Sequence, residues 1–218
     1  MSERQLALDL SSEAAFEAED FLPSACNREA LAWLARWPDW GAPGLVVVGP
    51  EGSGKSHLAR LFAKRTGALE VQGPVWPATV AGSVVIDPAD PVLDEAKLLS
   101  WHHAAREQGG HLLLTAERPA AQWEVGLPDL ASRLRALPVA RLRPPDDALL
   151  GALLVKLFRD RGLDVSESVV GYLAQHMERS FRVARDLVAE LDALSLEQRR
   201  PVTIPLARMV LGSSKTTE

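Results

Sequence analysis

The pattern of apolar positions changes about two thirds of the way along this 218-residue chain. Before that point, five short apolar runs alternate with segments of helical period. The runs are LVVVG (45–49), ALEVQ (68–72), SVVID (83–87), HLLLT (111–115) and VARLR (139–143). Continuous apolar strands separated by helices are typical of a parallel sheet that is covered on both faces. The pattern therefore predicts an α/β unit built on a five-stranded parallel sheet with helices on both faces.

The sequence PPDD at 144–147 ends this pattern, and the rest of the chain has a helical period. It predicts helices over 148–160, 166–177, 180–194 and 203–211. Upstream of the first strand, NREALAWLARW predicts another helix over 27–37, which Pro38 ends. The start of the chain is acidic and rich in small residues, which is typical of a flexible segment. The predicted organisation is a tail (1–20), an α/β unit (21–143) and a small all-helical unit (144–218).

Composition narrows the classes of function. The net charge of −5 argues against broad electrostatic binding of DNA, so we expect any contact with nucleic acid to be weak or indirect. Cys26 is the only cysteine, which excludes an internal disulfide and a zinc site built on several cysteines. No basic leader and no apolar run long enough to span a membrane is seen. We expect a cytoplasmic protein without membrane partners.

The segment GPEGSGKS, Gly49 to Ser56, matches G-x-x-x-x-G-K-[ST] directly after a predicted strand and before a predicted helix. Glycines let backbone N–H groups turn towards phosphates, and the helix N-terminus adds partial positive charge. Lys55 is predicted to reach the β- and γ-phosphates, and Ser56 to bind Mg²⁺. The predicted nucleotide-binding residues are Gly49, Pro50, Glu51, Gly52, Ser53, Gly54, Lys55, Ser56 and His57. The alternative is a glycine-rich turn that binds nothing.

Asp87 ends an apolar strand, at the edge where ligands of parallel α/β sheets bind. It is predicted to be the carboxylate on the metal side of a site for ADP or ATP with Mg²⁺, and a solvated strand end is the alternative. Hydrolases of this kind usually carry an acid next, which orients the attacking water. Pro88 stands there instead and cannot do so, although Asp90 could reach back. This substitution argues against a vigorous ATPase.

Thr115 ends the apolar run at 111–115, and Glu117 follows it. From a strand end, either side chain could sense the terminal phosphate or a water molecule. A threonine at this position is also explained by its β-propensity alone, so both interpretations of Thr115 stay open.

Taken in order, the phosphate loop, Asp87, the Thr115 strand end, LPDLASRLRAL and the helical ERSFRVARDLVAELDAL resemble the motifs of an AAA+ ATPase. More closely, the chain resembles the bacterial Hda family, relatives of the DnaA replication initiator that inactivate it. The resemblance covers nearly all of residues 1–211, and its most specific segments are LPDLASRL (127–134) and QLALDL (5–10). It implies a P-loop AAA+ domain followed by a helical lid.

The resemblance also implies roles for two arginines. The arginine of LASRL corresponds to an arginine finger, which is Arg133 here, and the sensor 2 arginine of the lid corresponds to Arg182. A planar, permanently charged guanidinium suits both roles because it can bridge phosphate oxygens. For Arg133 the alternative is one more solvated charge among neighbouring arginines. For Arg182 it is a surface ion pair on a helix that also carries Arg179 and Arg185.

QLALDL resembles the peptide by which replication and repair proteins dock on the β sliding clamp of DNA polymerase III. Leucines that alternate with small or acidic residues suit an extended peptide in an apolar groove, and a glutamine can hydrogen-bond beside them. The predicted clamp-binding residues are Gln5, Leu6, Leu8 and Leu10. Without the resemblance, an edge strand would explain the same pattern.

The resemblance implies a nucleotide-bound regulator that docks on the DNA-loaded clamp at the replisome. It would supply Arg133 in trans to stimulate hydrolysis of DnaA-bound ATP, which limits re-initiation. DNA would be contacted only through the clamp, and a homodimer is compatible with this role. The alternatives are a self-sufficient P-loop ATPase or small-molecule kinase, and a DNA-binding initiator. The initiator would need a DNA-binding module after the lid, and the last predicted helix leaves no room for one.

Overall fold

The computed structural model describes residues 22–73, 75–91 and 94–214. The predicted clamp-binding peptide at 5–10 lies outside these residues. The chain divides into two compact units, of which the first comprises the described part of Met1–Pro50 together with Gly54–Leu142. The second comprises Glu51–Ser53 and the described part of Arg143–Glu218.

The first unit contains a five-stranded sheet in the order β2-β3-β4-β1-β5, and every neighbouring pair is parallel. The strands are β1 (Gly44–Val48), β2 (Leu69–Val71), β3 (Val84–Ile86), β4 (Leu112–Ala116) and β5 (Val139–Arg141). This arrangement confirms the five-stranded parallel sheet that the apolar runs predict. The two central strands, β1 and β4, are five residues long, and both edge strands are three residues long.

The described part of the first unit also contains the helices α1 (Arg28–Ala35), α2 (Lys55–Thr66), α3 (Glu95–Gln108) and α4 (Pro128–Arg135). α1 precedes β1, and the other three connect successive strands. A short 3₁₀ helix, Ala120–Gln122, precedes α4. The alternation of side chains along β1 explains why both sheet faces need cover. Leu45 and Val47 lie in one buried cluster with Phe62 of α2, whereas Val46 and Val48 lie in the other with Leu98 of α3. Hence β1 is apolar at every position.

The second unit contains α5 (Asp147–Asp160), α6 (Glu167–His176), α7 (Phe181–Gln198) and α8 (Ile204–Ser214). Its core is a single apolar cluster to which all four helices contribute, with Leu154, Leu173, Leu187 and Leu206 almost completely buried. These helices confirm the small helical unit that the sequence predicts. Among the described residues, no helix has both the length and the apolar character that crossing a membrane requires.

Candidate nucleotide-binding site

The phosphate loop, residues 49–54, connects the end of β1 to the start of α2. Gly52 and Gly54 have φ angles of 71° and 95°, in the left-handed region that side chains other than glycine rarely adopt. The backbone of Gly49 is held by a hydrogen bond from its N–H to the Ala116 carbonyl, 3.1 Å away. The glycines of the motif therefore stand where this backbone path requires them.

Lys55 is the first residue of α2, and its ammonium folds back over the loop. Its Nζ donates to the carbonyl oxygens of Gly49 and Pro50, at 2.8 and 2.9 Å. The Ser53 hydroxyl is buried and has no hydrogen-bond partner among the described residues. A phosphate oxygen would accept from such a hydroxyl, so Lys55 and Ser53 fit a bound phosphate group. Ser56 is exposed on the first turn of α2, where a hydroxyl ligand of Mg²⁺ would stand, and His57 is half-buried.

Loop residues 51–53 pack with the start of α7 inside the second unit. The N–H of Phe181 donates to the Gly52 carbonyl at 2.9 Å. A Cβ atom on Gly52 would lie 2.0 Å from Ser180 Oγ, so the close approach also requires glycine here. Arg182 Nη2 forms an ion pair with Glu51 Oε1 at 3.1 Å, and both side chains are mostly exposed. The structure thus brings two predicted site residues, Glu51 and Arg182, into direct contact.

Asp87 and Thr115 also lie side by side. Ile86 pairs with Leu114 in the parallel ladder, so the next residue of each strand follows in register. The Thr115 hydroxyl donates a short hydrogen bond to Asp87 Oδ1, and both residues are buried. Asp87 is therefore not a solvated strand end, and Thr115 holds one of its carboxylate oxygens. Glu117, the other predicted sensing residue, is exposed.

The carboxylate of Asp90 is hydrogen-bonded to Arg118. Arg118 donates to Asp90 Oδ2 from Nε at 3.2 Å and from Nη2 at 2.9 Å. Pro88 is exposed, and the adjacent Ala89 N–H donates to the Thr115 carbonyl at 2.8 Å. In this arrangement Asp90 is engaged by Arg118, and Pro88 has no side-chain group that could orient water.

Arg133 lies near the C-terminal end of α4. Its Nε donates to Asp129 Oδ1, one turn earlier, at 2.9 Å, and its side chain is 27% exposed. Asp129 Oδ2 lies 4.0 Å from Nε2 of His103 on α3. Burial, and after it the positive charge of Arg133, lowers the pKa of the adjacent His102. Among the described residues, Arg133 makes no hydrogen bond or ion pair with the phosphate loop.

Three contacts at the site were not anticipated from the sequence: Ser180 against Gly52, Arg118 with Asp90, and Glu95 with the turn before α4. Ser180 carried a signal, because a serine directly before a helical pattern is a typical N-cap, and its Oγ accepts from the Val183 N–H. In the other two contacts the partners are 28 and 31 residues apart in sequence, and no local sequence pattern links them.

The sequence model of the family described as "Hda, lid domain" matches residues 147–211. This match covers α5, α6 and α7 and most of α8, so it lies within the second unit.

Solved structures resemble a much larger part of the chain. Domain III of the Thermotoga maritima replication initiation protein DnaA has a TM-score of 0.70 and 16% identity, over 91% of this chain and 95% of that one. A replication initiator DnaA bound to AMPPCP and single-stranded DNA has a TM-score of 0.59 and 13% identity, over 83% and 67%. The Thermotoga maritima RuvB Holliday junction branch migration motor gives 0.63 and 12%, over 94% and 69%.

The chain spans roughly two thirds of the length of the RuvB chains that it matches. At these identities the structural likeness shows the AAA+ fold alone. The lid match adds a relationship to the Hda family over residues 147–211. Residues 147–211 therefore match the lid domain of the Hda family, and the chain has the fold of DnaA domain III.

Proposed function

We propose that this protein regulates the DnaA initiator by supplying Arg133 to the ATP that DnaA holds. In this proposal it binds ADP or ATP itself, docks on the DNA-loaded β sliding clamp, and limits re-initiation. The match of residues 147–211 to the Hda lid domain is the observation that carries the proposal. The fold that the chain shares with DnaA domain III is consistent with it.

The nucleotide is held by the phosphate loop. Lys55 exchanges its two carbonyl contacts for phosphate oxygens, and the orphan hydroxyl of Ser53 donates to another. Asp87, oriented by Thr115, and Ser56 are the residues that would hold Mg²⁺. The metal neutralises phosphate charge when it is bound. Arg182 senses the nucleotide by exchanging Glu51 for a phosphate oxygen.

Without a partner, this protein hydrolyses ATP slowly. Pro88 has no acid or amide to orient water, and the nearby Asp90 is engaged by Arg118. The bound nucleotide then sets the conformation of the protein and is not consumed as a substrate. A turnover above about 1 s⁻¹, the lower end for typical enzymes, would favour a self-sufficient ATPase.

Arg133 acts on the partner's nucleotide. Its guanidinium is partly exposed and bound to Asp129 within its own helix, and it makes no contact with the phosphate loop among the described residues. An exposed ion pair of this kind is weak, so exchange of Asp129 for a phosphate costs little. Negative charge that develops on the γ-phosphate during hydrolysis is then stabilised by a fixed, planar cation.

The N-terminal segment provides the docking element. Leu6, Leu8 and Leu10 fill apolar pockets of the clamp while Gln5 makes a polar contact. Docking places the protein in the cytoplasm at the replisome, where the initiator and DNA-loaded clamps meet. Changing Leu8 and Leu10 to Ala should abolish retention on immobilised clamp at an unchanged melting temperature. Equal retention of the variant and the parent would contradict the docking role.

The decisive test compares arginine variants in a reaction with DnaA-bound ATP, clamp and DNA. Arg133→Ala should lose the stimulation of DnaA ATP hydrolysis, by about 10³-fold if it acts as other arginine fingers do. Arg133→Lys should lose most of it, because an ammonium keeps the charge without the planar fork. Arg135→Ala is the matched control, since Arg135 is exposed two residues along the same helix.

Nucleotide affinity and clamp retention of Arg133→Ala should equal those of the parent protein. If Arg133→Ala stimulates DnaA fully while Arg135→Ala does not, the finger is Arg135. Full stimulation by both variants would refute the mechanism in trans.

A further inference from the structure

Glu95 binds a turn that is distant in sequence and lies directly before α4, the helix that carries Arg133. It belongs to the first turn of α3. Its Oε1 accepts from the Gly126 N–H and its Oε2 accepts from the Leu127 N–H, both at 2.7 Å. Hydrogen bonds of this length to a carboxylate are among the stronger ones in proteins. One side chain thus joins α3 to the residue at which α4 begins.

The N-terminus of α4 has no side-chain cap of its own. Leu127 stands at the N-cap position and Pro128 is the first helical residue. Glu95 is therefore the group that fixes the entry of the chain into this helix, and its carboxylate lies near the positive end of the helix dipole.

The opposite side of α4 is fixed by packing. Leu130 and Leu134 are almost completely buried in the apolar cluster that also contains Leu98 of α3. Arg133 precedes Leu134 directly, so its backbone position follows from the rotation and the start of α4. The burial of these two leucines sets the rotation, and the two hydrogen bonds that Glu95 accepts set the start.

We propose that Glu95 is a positioning residue for Arg133, which it holds at the height and direction needed to reach a nucleotide on a partner. This inference rests on the proposed function, in which Arg133 acts in trans. This role requires a carboxylate at position 95. A carboxylate offers two acceptor oxygens to two adjacent N–H groups, whereas a glutamine offers only one oxygen.

The test compares Glu95→Gln with the parent, with Arg133→Ala and with Glu167→Gln. Glu167 is a suitable control because it also lies in the first turn of a helix, α6, and its carboxylate makes no hydrogen bond or ion pair among the described residues. Both glutamine variants therefore lose the same charge near a helix N-terminus. The readouts are the maximal stimulated rate of DnaA ATP hydrolysis, the protein concentration that gives half-maximal stimulation, the melting temperature, and hydrogen exchange at Gly126 and Leu127.

Glu95→Gln should lower the maximal stimulation by about 10- to 100-fold, the loss expected when a catalytic group is displaced by about 1 Å. The half-maximal concentration should stay within about twofold of the parent value, because the docking elements are untouched. Exchange at Gly126 or Leu127 should accelerate about tenfold, since one hydrogen bond is lost. Glu95→Asp should also lose stimulation, because the shorter side chain keeps the charge but cannot span both N–H groups.

The outcomes separate the two ideas. If Arg133→Ala stimulates fully, the proposed function fails and this inference with it. If Arg133→Ala is inactive while Glu95→Gln and Glu95→Asp match Glu167→Gln, the positioning role is wrong and the finger stands. A loss of stimulation that follows a fall in melting temperature, or a raised half-maximal concentration, would assign Glu95 a purely structural role and overturn the inference.

Discussion

Replacing Thr115 by Val distinguishes the two interpretations of this residue that the sequence leaves open. If Thr115 is present only for its β-propensity, Val should be neutral or stabilising, because it is at least as good a strand former. If the hydroxyl holds Asp87, the same change should destabilise the first unit. The two interpretations therefore predict opposite signs.

The magnitude follows from the contact. Thr115 is fully buried and donates to the carboxylate of Asp87, which is 7% exposed. Loss of a hydrogen bond to a charged group costs about 1.5–3 kcal/mol, and burying the extra methyl of Val returns about 0.8 kcal/mol. We expect the free energy of unfolding to fall by about 1–2 kcal/mol. The Mg²⁺-dependent part of nucleotide affinity should also fall, because Asp87 loses the group that orients it.

Urea denaturation followed by tryptophan fluorescence measures this effect in the correct unit, because all six tryptophans belong to the first unit. Thr79→Val is the control, since Thr79 is exposed and should change stability by less than about 0.5 kcal/mol. In an Asp87→Asn background the hydroxyl donates to a neutral amide oxygen, so Thr115→Val should cost close to zero. A cost below about 0.5 kcal/mol with Asp87 present, or an equal cost in both backgrounds, would refute the argument.

Lys55→Ala should weaken binding of both ATP and ADP at least about tenfold in isothermal titration, because a charged hydrogen-bond donor is lost; parental affinity would exclude a phosphate site. Gly52→Ala should destabilise the protein by about 2–3 kcal/mol in chemical denaturation, from left-handed strain and displacement of the Ser180 cap. The same change should cost about 1 kcal/mol less in a Ser180→Gly background, and equal costs would disprove the contact. Burial lowers the pKa of His102 and His111, so the unfolded chain binds more protons below about pH 6.5. The melting temperature should therefore fall as pH drops from 7.5 to 5.5, and a flat or rising profile would contradict this.

The sheet was predictable because burial on two faces makes every position of a central strand apolar, as Leu45, Val46 and Val47 illustrate. The parallel direction of the strands also makes the position of Asp87 predictable, since a residue directly after a parallel strand lies at the carboxyl edge of the sheet. Its contact with Thr115 depends on the register of β3 against β4, which hydrophobicity does not encode. The exact ends of helices were also not predictable from hydrophobicity. The helix predicted over 27–37 stops at Ala35, because the last residues before Pro38 form tight turns instead.

Polar contacts over long sequence separations were beyond prediction. Glu95 looks like any acidic residue in a first helical turn, and only the folded chain shows that its partners are Gly126 and Leu127. Arg133 and Arg182 were identified through the family resemblance, because a local pattern of charges cannot separate them from arginines on a solvated surface. Their roles stay predictions until the variants are measured.

The shortness of β2 and β5 has a consequence for how other chains can associate with this one. Each edge strand is three residues long and includes an exposed charged residue, Glu70 or Arg141. Such an edge offers few free backbone groups and places a charge against any incoming strand, which protects natural sheets from edge-to-edge aggregation. A peptide that tried to extend the sheet would gain only a few backbone hydrogen bonds. Recognition through side chains of the helices and loops is therefore the favoured route for any protein that binds the first unit.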